Sequence, residues 1–112
     1  MTYSSEVPIE RAGIIELITT SAQDVLQMRD GAGEQLPALG EETRLIGQGA
    51  ILDSLGLVSL IVEVEQRLSD ELGINLILAD ERAMSQKRSP FRSIGALADY
   101  ICDLIAEQGA HA

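Results

Sequence analysis

The chain of 112 residues carries eighteen acidic against eight basic side chains, a formal net charge of −10, and is 46% hydrophobic but only 3% aromatic, with no tryptophan. Its length suits one domain over 1–112, with an ordered core of about 6–107, and a core of Leu, Ile, Val and Ala at helical spacing points to packed helices, not a β-sandwich. A surface of this sign repels nucleic acid and suits partners with basic docking patches, while a single Cys102 and a single His111 rule out an internal disulfide and a His/Cys zinc cluster.

Residues 1–6 lack both a basic region and a continuous apolar core, so no secretory signal is expected there. Nothing approaches the length of an apolar span needed to cross a bilayer. The expectation is a cytoplasmic, monomeric protein. The first helix should start near Ser5 or Glu6, with Pro8 tolerated in its opening turn. Ile14, Leu17, Ile18, Ala22, Val25 and Met28 then recur at spacings of three and four, one apolar stripe. The run 30–33, Asp-Gly-Ala-Gly, stops it.

From 31 to 52 the chain reads as a long loop punctuated by six residues of Gly or Pro. Loops of this length are uncommon and tend to be functional. Leu36, Leu39, Leu45, Ile46, Ile51 and Leu52 are expected to plug the core from it. Gly47-x-Gly49 is no phosphate loop, because no strand precedes it and no Lys-Ser/Thr pair follows.

A second helix is predicted over 54–72, capped by Asp53 and ended by Gly73 at C′. Leu57, Leu60, Ile61, Val64, Leu68 and Leu72 form its buried stripe. Glu63, Gln66, Ser69 and Asp70 face water, with Glu65 and Glu71 near the boundary. Val58 and Val62 lie toward the face that Ser54 begins, either as a small docking surface or as the edge of the stripe. Residues 74–78 read as an extended connector, since no second strand is available to pair with them.

Asp80 can cap a short third helix over about 81–87, closed by Ser89-Pro90. Arg82, Lys87, Arg88 and Arg92 place half of the basic residues in this segment. Ser93 caps the last helix, through about Glu107, with Ile94, Leu97, Ala98, Ile101, Cys102 and Ile105 as its stripe. Asp99 and Tyr100 fall away from that stripe, and Cys102 on it reads as a small buried hydrophobe.

The stretch 51–60, Ile-Leu-Asp-Ser-Leu-Gly-Leu-Val-Ser-Leu, sets a serine at the start of a helix, where free N–H groups and the positive dipole end favour an attached anion. Asp53-Ser54-Leu55 with Gly56 and Val58 behind it resembles the modification site of acyl carrier proteins. The run 41–45 is similar to that family's segment shortly before the site, and 93–101 to its last helix. Element order agrees over roughly 6–107. The resemblance implies an all-α, four-helix acyl-carrier-like bundle of three longer helices and one short, with a long loop between helices 1 and 2.

It also implies that Ser54 carries 4′-phosphopantetheine, with Asp53 as its acidic neighbour, and that the arm holds an acyl group as a thioester. Leu55, Val58 and Val62 then match positions of partner contact, with Glu63 and Glu65 as the acidic rim. The protein itself would be no enzyme. It would be the substrate of a phosphopantetheinyl transferase using coenzyme A and Mg²⁺, with Asp53 well placed to assist the cation, and of acyl-transferring or acyl-activating enzymes. Ser59 where many fatty-acid carriers have an acid, the longer loop at 47–50, and the longer, more basic segment 79–92 depart from the family pattern. The implied pathway is therefore fatty-acid, lipid, polyketide or another specialised one.

Two alternatives stay open. A peptidyl or aminoacyl carrier shares the chemistry but usually shows Gly-Gly-His/Asp-Ser, whereas Leu52 precedes Asp53 here. An unmodified helical interaction module would bind a partner through Val58, Val62 and the acidic rim. A serine hydrolase is ranked last, since Ser54 has no histidine base and the Gly-x-Ser-x-Gly elbow is missing.

Overall fold

A computed structural model of the chain describes residues 10–30, 39–47, 49–78 and 89–109. Its described part is all-α: α1 spans Arg11–Asp30, α2 spans Ser54–Leu72 and α3 spans Ile94–Gly109, with no strand among the described residues. α1 starts at Arg11, later than the start expected near Ser5 or Glu6: Glu10 stands outside the helix and its carbonyl accepts the Ile14 N–H at 3.1 Å. The plug Leu36, the short helix over 81–87 and the cations Arg82, Lys87 and Arg88 lie outside the described residues.

α1 packs against both α2 and α3, so its buried arc is broad. Ile14, Leu17, Ile18, Ser21, Ala22, Val25 and Leu26 all face inward. Ser21 is small enough for the close approach, and its hydroxyl donates back to the Leu17 carbonyl at 2.8 Å, which satisfies the one polar side chain buried there. Met28 is not buried with the stripe and is 81% exposed. At 100° per residue Met28 lies within about 20° of the buried Leu17 and Ser21, so its exposure goes with its place in the last turn of α1 and not with the direction it faces.

α2 matches its predicted bounds at both ends. Leu60, Ile61, Val64 and Leu68 form its buried stripe, with Leu57 half-buried, whereas Leu72 in the last turn is largely exposed. Gly73 sits in the left-handed region with φ 68° and donates to Ser69, while Ile74 donates to Leu68, closing the helix. The connector 74–78 is neither helix nor strand, as expected. Leu78 is fully buried, and its N–H reaches the Glu65 carboxylate at 2.8 Å.

α3 is capped by Ser93, whose hydroxyl accepts the Ala96 N–H at 3.1 Å. Tyr100 is buried, contrary to its expected outward placement. α3 meets α1 and also the loop, which lies against Gly95, and its buried residues Gly95, Ala96 and Tyr100 extend beyond the predicted stripe. The loop pairs with the start of α3 along the backbone. Leu45 donates to Arg92 at 3.0 Å, Ile94 to Thr43 at 3.0 Å and Gly95 to Glu41 at 2.9 Å. The bonds from Ile94 and Gly95 take up N–H groups that a helix start leaves without intrahelical partners. Gly95 permits the approach, because a Cβ there would lie 3.1 Å from the Glu41 carbonyl oxygen.

Leu45 is fully buried, and Leu39, Ile46, Ile51 and Leu52 pack partly buried against the core, so the loop does plug it. Arg11 ties three segments together through Glu41 at 2.8 Å and Asp99 at 2.5 Å. Arg67 ties α2 to α1 through Asp24, and holds Glu63 at 3.0 Å and Glu71 at 3.6 Å along its own helix.

Candidate functional site

The loop between α1 and α2 ends in extended backbone at Asp53, with φ −86° and ψ −175°. Its Oδ1 accepts the Gly56 N–H at 2.7 Å and its carbonyl accepts the Leu57 N–H at 2.9 Å. Asp53 is thus the cap, and Ser54 is the first helical residue. Gly56 is buried beneath them. A Cβ at 56 would lie 3.2 Å from Asp53 Oδ1 and from the Leu52 side chain, so glycine lets the cap close tightly.

Ser54 is exposed. The amides of Ser54 and Leu55 have no hydrogen-bond partner among the described residues. The contrast with α3 is clear, since there the loop carbonyls cover the corresponding amides. Beyond Ser54, Leu55, Val58 and Val62 are 67%, 56% and 46% exposed. At 100° per residue they fall within an arc of about 60°, on the side of α2 away from its buried stripe. They therefore form a continuous apolar face and are not the edge of the core.

The two rim carboxylates are otherwise engaged. Glu63 is half-buried against Arg67, and Glu65 is half-buried with the Leu78 N–H. Ser59 is exposed.

Beside Ser54 lies an open cleft of about 280 Å³, lined by Leu45, Ile46, Gly47, Leu52 and Leu57 together with Asp53 and Ser54. Sequence reading did not pick out this cleft. Its walls are the loop's own plugs, which spacing along one helix does not reveal. The available signal was Gly47 and Gly49, both at positive φ (84° and 82°), which turn the chain so that Ala50 donates to Gly47 and Ile51 to Arg44. They form a turn.

Cys102 is half-buried, and desolvation chiefly, with help from Asp99, pushes its thiol up, which disfavours the thiolate. No group of three or more His, Cys, Asp or Glu suited to a metal ion occurs among the described residues. No helix among them is long and apolar enough to cross a membrane. Comparison with protein-family models, with curated proteins and with solved structures finds no match.

Proposed function

We propose that the chain is an acyl carrier protein, with Ser54 as the attachment point of 4′-phosphopantetheine. The observation that carries this reading is an exposed serine at the first turn of α2, capped from behind by Asp53, with two amides lacking partners among the described residues and an apolar face running on from it. Those amides and the dipole end favour a phosphodiester oxygen close to the Ser54 hydroxyl. The four-helix bundle with a short helix in 81–87, a monomeric state and a cytoplasmic setting belong to the same proposal.

When attached, the group supplies the thiol that holds an acyl chain as a thioester. In loading, Ser54 Oγ would form the bond to phosphorus while the pyrophosphate linkage of coenzyme A breaks and adenosine 3′,5′-bisphosphate leaves, the hydroxyl proton passing to a base of the transferase. Asp53 keeps the first turn formed and Ser54 outward. Leu55, Val58 and Val62 offer apolar contact to partner enzymes whose basic patches meet the acidic surface, with Glu63 and Glu65 contributing charge near the rim. The cleft beside Ser54 is walled by Leu and Ile side chains, and covering apolar surface there is worth about 0.8 kcal/mol per methylene.

The test is intact mass after incubation with coenzyme A, Mg²⁺ and a broad-specificity phosphopantetheinyl transferase, with Ser54→Ala in parallel. The expected result is a gain of one phosphopantetheine in the wild type alone. No gain in either, with the transferase active on another carrier, would leave the exposed face of α2 as the surface of an unmodified interaction module.

A further inference from the structure

We propose that α2 docks through an uncharged strip onto an apolar, uncharged surface of the enzyme that loads Ser54, an inference that rests on the carrier reading above. At 100° per residue Leu55, Val58, Ser59, Val62, Gln66 and Ser69 fall within an arc of about 100° and run over about 21 Å of the helix. All of them are exposed. The strip begins beside Ser54, so an enzyme that reaches that hydroxyl stands over its first turns.

No residue of the strip is charged, in a chain with a formal net charge of −10. α2 does carry charge, but Glu63, Glu65, Arg67, Asp70 and Glu71 all lie outside the arc. Glu63 and Glu65, which flank it, are turned to inner partners, Arg67 at 3.0 Å and the Leu78 N–H at 2.8 Å. Asp70 flanks it only at the far end. A lysine or arginine pressed onto the strip would lose water and meet no carboxylate in return, which is costly. Aliphatic side chains laid on Leu55, Val58 and Val62 gain by burial instead, and neutral hydroxyl or amide groups satisfy Ser59, Gln66 and Ser69. The matching surface is therefore apolar with neutral polar groups, and the partner's cations stand at its margins, against the acidic surface on either side.

The experiment reads KM and kcat of the broad-specificity phosphopantetheinyl transferase for the chain, with loading of the wild type first established by mass. It is run in about 0.5 M salt, where long-range attraction between the two proteins is screened. Ser59→Lys and Ser59→Glu should each raise KM by about five- to tenfold with kcat little changed, since either charge is covered without a counterion. Gln66→Lys and Gln66→Glu should act in the same direction, and Ser59→Ala should stay within about twofold of wild type. Both positions are exposed along the helix, so no substitution touches the core. Opposite effects of the two charges, with glutamate lowering KM, would set cations over the strip and overturn the proposal. A KM indifferent to both charges, at Ser59 or at Gln66, overturns it as well. Absence of the mass gain in the wild type overturns the carrier reading itself, before the strip enters.

Discussion

At the start of α2 the capping bond comes from Asp53, whose Oδ1 takes the Gly56 N–H, and the neighbouring Ser54 side chain is left in solvent. This separates two effects that usually coincide at a helix start. Asp53→Ala should cost about 0.5–2 kcal/mol in urea unfolding, whereas Ser54→Ala should stay within about 0.5 kcal/mol of wild type. If both lose the same amount, Ser54 belongs to the cap, and loss of modification in its variant would no longer isolate chemistry from folding. The cap was legible in the sequence because its donor and acceptor lie three residues apart. The engagement of Glu65 by the Leu78 N–H was not, since it depends on how the connector folds back over thirteen residues of chain.

Helix ends are local devices, and α2 is the clearest case. Its C-terminus closes on Gly73 at φ 68°, with nothing within 4 Å of the place a Cβ would occupy. Space is therefore irrelevant to substitution there, and only the backbone conformation counts. Gly73→Ala should lower stability by about 1–2 kcal/mol, and Gly73→Asn by less, since asparagine tolerates the left-handed region. A Gly73→Ala protein as stable as wild type in equilibrium unfolding would mean that the helix end relaxes into another closure. Stripes were less legible than ends. A 3.6-residue pattern finds the centre of a buried face but not its width, and the width depends on how many neighbours a helix has. Tyr100 is buried in the core cluster well off the predicted stripe of α3, and Met28 is exposed in the last turn of α1 although it lies within about 20° of the buried Leu17 and Ser21. The pairing of 41–45 with the start of α3 rests on backbone groups that side-chain patterns do not report.

Over the whole molecule the balance is between a core of aliphatic side chains and a surface charged to −10. Self-repulsion of that surface works against compactness, so the few cations matter by where they stand. Arg67 stands where α1 and α2 meet, with its side chain 24% exposed, and it gathers Asp24, Glu63 and Glu71. Removing its charge does more than break pairs, because it leaves three carboxylates around one uncharged stem. Arg67→Met keeps much of the apolar stem and deletes only the guanidinium. At low ionic strength it should cost about 1–2 kcal/mol, more than a single exposed pair contributes, because several like charges are unmasked together. In about 0.5 M NaCl the Debye length falls to a few Å and the remaining carboxylates are screened from one another. The cost should then fall by at least half, while the wild type itself becomes more stable as its overall repulsion is damped. Urea unfolding of both proteins at the two salt concentrations reads this directly. A cost unchanged by salt would assign Arg67 to packing between α1 and α2, and would leave the acidic surface as a feature for partners with little bearing on the fold.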